Sequence, residues 1–134
     1  MSQENVELVR SIYAAWGRGD YTSGEWAHPE IEYVVADGPT ASVWRGLAGL
    51  AEGARTWLSA WDEYRIEVDE YRELDADRVL ALTHGKGRAK ISGLDAGLIR
   101  AEAADLFHIH AGKVTRFVVY FDREHALADL GLSE

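Results

Sequence analysis

The sequence predicts an α+β fold in which a mainly antiparallel sheet is covered on one face by helices. Three observations predict it. Apolar residues recur at helical spacing from Val6 to Trp16 and again from Leu47 to Trp61. From Tyr64 onward the apolar period switches from helical to two. Finally, Leu98 to Phe121 reads as two runs rich in β-branched and aromatic residues joined by Ala111, Gly112 and Lys113, which is the pattern of a long β-hairpin.

Taken in order, Ser2 caps a first helix with Glu4 in its opening turn, and Val6, Val9, Tyr13 and Trp16 line one face beside Leu8 and Ile12. Gly17 and Gly19 end that helix. Asp20 is placed to cap a short second one through Trp26, broken by His28 and Pro29. A strand from Ile31 to Val35 follows, then a turn at Ala36-Asp37-Gly38-Pro39 and a loop leading to Trp44-Arg45-Gly46. Leu47, Leu50, Ala54, Trp57, Leu58 and Trp61 form the stripe of the next helix. Tyr64, Ile66 and Val68 share a strand face, and the pattern slips by one residue before Tyr71, which predicts a β-bulge. Asp75-Ala76-Asp77 turns the chain into a strand from Val79 to His84, and the glycine-spotted segment Gly85 to Gly97 returns it to the hairpin. Asp122 caps a last short helix, Glu124 to Leu130, closed by Gly131.

With 134 residues and 47% of them apolar, the chain has the size of one domain spanning 1–134. An acidic excess, 23 Asp and Glu against 14 Lys and Arg, argues against a phosphate backbone or an anionic membrane as partner. The lack of cysteine excludes disulfides, thiolate metal sites and a Cys nucleophile. The N-terminus has neither a basic region nor an apolar core of the signal-peptide kind, so a cytoplasmic protein is the default expectation.

Three stretches carry a family resemblance: Tyr13-Ala-Ala-Trp-Gly-Arg-Gly-Asp20, the Trp44-Arg45-Gly46 lead into the longer helix, and Phe107 through Gly112-Lys113-Val114 to Val119-Tyr120-Phe121-Asp122. In these the chain resembles the SnoaL-like, ketosteroid-isomerase-related members of the nuclear transport factor 2-like superfamily. The resemblance implies a cone-shaped barrel, a strongly curved sheet wrapped around N-terminal helices with an apolar cavity at one end. It also implies a homodimer through the outer sheet face. Two carboxylates in a dry pocket can move a proton unaided, so no metal or organic cofactor is expected. Ketosteroid isomerases use an Asp base, with a Tyr and a protonated Asp holding the enolate oxygen. Carried across, Asp37 falls where the base would be and Asp105 where the oxyanion acid would be. The Tyr position falls on Ile12, with Tyr13 next to it and turned roughly 100° around the helix. Limonene epoxide hydrolases share the fold, but their place for one catalytic acid is Val119 here, and Val79 to His84 lacks their Arg and second Asp.

Asp105 is the residue the sequence itself singles out. Alternation puts it on one strand face with Ala103, Phe107 and Ile109, while Ala104, Leu106, His108 and His110 share the other. A carboxylate in an apolar row is neutralised, hydrogen-bonded or functional. Asp37, before Gly38-Pro39, is explained by turn formation alone, and only its position argues for function. His108 and His110 alternate like a metal pair but lack a third ligand in phase, so a sheet surface or dimer interface fits them better. His84 reaches the cavity only if Leu80 and Leu82 face inward. The reading is therefore a small-molecule-binding protein with Asp37 and Asp105 as proton-transfer residues. Its pocket is lined by Ile12, Trp16, Tyr33, Trp57, Phe107, Phe117, Val119 and Phe121. The ligand is a small apolar carbonyl compound, isomerised or cyclised. A non-catalytic binding protein and a dimeric interaction module are the alternatives, with epoxide hydrolysis behind them.

Overall fold

A computed structural model describes residues 2–18, 20, 25–36, 42–59, 61–91 and 94–132. The elements are α1 (Ser2–Gly17), β1 (Ala27–Val35), β2 (Ser42–Arg45), α2 (Gly46–Ser59), β3 (Trp61–Asp75), β4 (Arg78–Ile91), β5 (Leu94–His110), β6 (Lys113–Tyr120) and α3 (Arg123–Asp129). The six strands form one sheet in the order β2-β1-β6-β5-β4-β3. The β1–β6 pairing is parallel and the other four are antiparallel.

The sheet is strongly curved, and its bulges account for much of that curvature. In β3 the register against β4 shifts between Val68 and Glu70, where the slip in the sequence pattern predicted it, leaving Asp69 as the extra residue. A second shift, between His108 and Ile109, leaves Thr115 as the extra residue and bends β6 against β5. The β5–β6 hairpin closes through Ala111 and Gly112, both at positive φ (51° and 77°). His110 pairs with Lys113, so Lys113 belongs to the strand and the connection is two residues. Two successive positive φ values are what a type I′ hairpin turn requires.

The two faces of the sheet are packed separately. On the concave face Tyr33, Val79, Ala81, Phe107, Ile109 and Phe117 meet Val9, Ile12 and Tyr13 of α1. On the opposite face Leu80, Leu82, Ala104, Leu106, Val118 and Tyr120 are covered by Ala126 and Leu127 of α3. The expectation of helices on one face alone therefore needs correcting, because the chain returns after β6 to cover part of the outside. Asp122 caps α3 by accepting from the Glu124 N–H at 3.0 Å, and Gly131 (φ 70°) ends it. Tyr120 ties the helix down by donating to Asp129 at 2.7 Å. Arg123 reaches back across the sheet, donating to the Thr83 carbonyl at 2.6 Å and to Asp69 at 2.7 Å.

Several boundaries differ from expectation for local reasons. Strand β1 begins at Ala27 and contains Pro29, which the sequence reads as a breaker. Its pairing with β6 skips from Ala27 to Glu32, and Pro29 sits in that unpaired stretch, where its missing N–H costs no ladder bond. Residues 37–41 of the expected turn and loop lie outside the described residues, but Ser42–Arg45 form a strand where a loop was expected. Trp61 opens β3 and does not close the preceding helix. Of the short helix expected before Trp26, residues 21–24 lie outside the described residues, and Glu25 and Trp26 form a turn. The Gly85 to Gly97 segment continues β4 to Ile91 and β5 from Leu94.

Helix α2 is seated on β1 and β2 by a close approach at Gly53. A Cβ there would lie 2.7 Å from Tyr33 Cε2 and 3.0 Å from Trp44 Cδ1. The Tyr33 ring has little room to shift, because it also stacks on Phe117 at 5.3 Å between centroids. Gly53→Ala is therefore expected to destabilise the fold by about 1–3 kcal/mol through overpacking, despite alanine's higher helix propensity. A denaturation midpoint equal to or above wild type would show that α2 is free to shift.

Candidate functional site

The site is built on cross-strand rows of the concave face. In one row Tyr33 of β1 pairs with Phe117 of β6, Phe117 with Phe107 of β5, and Phe107 with Val79 of β4. The rings stack along it: Phe107 and Phe117 lie 4.9 Å apart at an interplanar angle of 22°. In the next row Val35 pairs with Val119, Val119 with Asp105, Asp105 with Ala81, and Ala81 with Tyr71. Asp105 thus stands in the middle of the sheet with apolar residues on both sides, 3% exposed.

The group that meets its carboxyl comes from α1. The Tyr13 hydroxyl donates to Asp105 Oδ2 in a short, buried hydrogen bond, and no other described residue bonds that carboxyl. Tyr13 is held edge-on against Trp16 (5.1 Å), Phe107 (5.9 Å) and Tyr71 (6.4 Å), which fixes the phenol over β5. The family count falls on Ile12, and the hydroxyl that meets the acid is that of its neighbour Tyr13. Ile12 is buried at the α1–sheet contact, and Tyr13, on the same broad face, carries the hydroxyl to the acid.

Burial dominates the electrostatics. Removal from water pushes Asp105 up from 3.8 to about 7, and the Tyr13 bond offsets only part of that rise. Tyr33 is pushed up to about 12, first by its own burial and then by the negative charge of Asp105. At neutral pH Tyr33 is consequently a fully protonated donor near an acid poised between its two forms.

The other singled-out residues fall as follows. Trp16 is half-buried against Tyr13, Trp26 and Phe117. Val119 is half-buried beside Asp105, and Phe121 is half-buried one residue beyond β6. Trp57 lies in α2, with its side chain outside the described residues, and Asp37 lies outside them altogether. His84 does not reach the concave face. Leu80 and Leu82 point outward, and His84 goes with them to bond Asp69 at 2.8 Å through Nδ1 and to approach Glu67 at 3.2 Å through Nε2. The Arg123 guanidinium, with His84 adding to it, holds Asp69 below the usual carboxylate range. His108 is half-buried, and burial, Arg116 and Arg78 hold its pKa low; His110 is exposed. Among the described residues no three His, Asp or Glu side chains gather to hold a metal ion, and no helix is long and apolar enough to cross a membrane. A groove of about 400 Å³ between α1 and the β5–β6 turn is lined in part by Leu8, Ile12, Trp26 and Lys113, but not by Asp105.

Among the described residues, three helices and a six-stranded, mostly antiparallel sheet form a curved α+β cone, the architecture of nuclear transport factor 2-like proteins. Within that class the SnoaL-like domain family model matches residues 9–117, and the chain belongs to this family. Solved structures agree on the fold. An NTF2-like protein of unknown function from Burkholderia pseudomallei superposes with a TM-score of 0.77 at 20% identity, covering 93% of this chain and 95% of that one. TerC, co-crystallised with polyporic acid, gives 0.73 at 23% identity over 95% and 97%. A polyketide-cyclase-like protein from Xanthomonas campestris pv. campestris gives 0.72 at 21% identity over 95% and 96%. No curated protein matches the chain by sequence.

Proposed function

We propose that this SnoaL-like protein binds a small, largely apolar carbonyl compound in the curve of its sheet and moves a proton on the carbon beside that carbonyl, without a cofactor. One observation carries the reading: a carboxyl buried among aromatic rings, with its pKa raised to about 7 and one oxygen held by the Tyr13 phenol. In its neutral form Asp105 donates to the carbonyl oxygen and stabilises the enolate as charge develops there. Tyr13 holds the carboxyl in place, and Tyr33, which feels the charge of Asp105 and is protonated at neutral pH, serves as a second donor. Asp37 takes the proton from the carbon beside the carbonyl and returns it to that carbon or, where a conjugated dienolate forms, to its γ-carbon, so the reaction is neutral overall. The co-crystallisation of TerC with polyporic acid supports small-molecule binding by this fold. The protein is further proposed to pair with a second copy through the part of the outer sheet face near His108 and His110 that α3 leaves uncovered, with light scattering as the check.

The test is hydrogen exchange on α-tetralone in heavy water, followed by mass spectrometry. Wild type is expected to accelerate exchange over buffer, and Asp37→Asn and Asp105→Ala to lose that acceleration by on the order of a hundredfold. Exchange at the buffer rate while tetralone still binds would make this a binding protein. Unchanged exchange in Asp37→Asn would remove Asp37 from the base role.

A further inference from the structure

We propose that Thr83 is a ligand-binding residue and that the ligand carries a second oxygen, held by the Thr83 hydroxyl, in addition to the one that meets Asp105. The inference rests on the ligand-binding reading above and extends it to the class of ligand: a small ring compound oxygenated at two separated positions.

Thr83 is 0% exposed, and its Oγ1 has no hydrogen-bond partner among the described residues. A buried hydroxyl without a partner is a standing cost to the fold, and a valine of the same shape would avoid it. Local structure gives no reason for a hydroxyl here, since a strand interior has no turn or helix cap for threonine to serve. The residue follows Val79 and Ala81 on the concave face, two positions beyond the direct partner of Asp105. Ala81 pairs with Asp105 and Thr83 with Ala103, so Thr83 and Asp105 are diagonal neighbours on adjacent strands, with Cβ atoms roughly 7 Å apart. The two residues completing that square, Ala81 and Ala103, carry only methyl groups, so the surface between the polar side chains is low. Ala103 is half-buried and keeps accessible surface directly opposite Thr83. The backbone beneath is fixed, because Arg123 holds the carbonyls of Thr83 and Ala103 at 2.6 and 3.3 Å.

Two measurements test this. First, Thr83→Val is expected to raise the melting temperature of the ligand-free protein, while Thr83→Ser leaves the hydroxyl and does not. A Thr83→Val variant less stable than wild type would mean that the protein already satisfies the hydroxyl, which overturns the proposal. Second, titration with naphthol and with a set of naphthalenediols is expected to find a diol that binds wild type and Thr83→Ser roughly threefold to tenfold tighter than naphthol, an advantage absent in Thr83→Val. If no diol gains, or the gain survives in Thr83→Val, the Thr83 assignment fails while the Asp105 site stands. If naphthol affinity is unchanged in Asp105→Ala, or no probe binds, the parent reading and this one fail together.

Discussion

Asp105→Asn is expected to remove a pH dependence from the stability of the fold. Burial raises the folded-state pKa of Asp105 from 3.8 to about 7. Between those values the folded protein keeps a proton that the unfolded chain releases. Stability from this group is therefore full below about pH 4, declines as pH rises toward 7, and is level above that. A shift of about three units corresponds to a loss on the order of 4 kcal/mol across the window. Asparagine does not titrate and still offers an oxygen to the Tyr13 hydroxyl, so the variant loses the slope and is the more stable protein at pH 8. Urea denaturation of both proteins from pH 4 to 8 measures the difference, in which contributions from other carboxylates cancel. A constant gap between the two curves would mean that Asp105 is ionised throughout and that the neutral acid required by the proposed chemistry is not formed.

The second large effect concerns the row beneath the acid. Phe107 is fully buried between Tyr13 and Phe117, and Phe107→Ala is expected to cost about 3–5 kcal/mol. The cavity left behind also removes the ring against which Tyr13 is held, so Tyr13 loses its fixed position over Asp105. Phe107→Leu keeps most of the volume and is expected to cost much less while still loosening the phenol. A denaturant midpoint for Phe107→Ala within 1 kcal/mol of wild type, by the scale for large-to-small core changes, would mean the rings do not form a continuous stack.

The parts legible in the sequence were those fixed by local period. The alternation of β5 put Asp105, Phe107 and Ile109 on one face and Leu106 on the other, as observed, but did not say which face is concave. A one-residue slip announced the bulge at Asp69. What stayed illegible depends on how elements meet. Ile12 and Tyr13 both belong to the apolar face of α1, and only the rotation of the packed helix decides which one reaches Asp105. Val79 to Leu82 is apolar at every position, so its period cannot say which residues turn inward. That ambiguity hid both the outward path of His84 and the buried hydroxyl of Thr83. The stripe ending at Trp61 runs across the junction of α2 and β3, where an apolar residue serves either element. Strand β2 is four residues long and has no alternation to read.

Tyr13 and Asp105 are 92 residues apart in the chain, and β1 lies parallel to β6, the last strand to be made. Although β1 meets β2 early, its other edge and the phenol of α1 find their partners only once β5 and β6 have been made. Such distant partners carry a large loop-closure cost, so the domain is expected to fold slowly. In that interval the first strand waits with a free hydrogen-bonding edge, which makes the nascent chain a natural client for a chaperone.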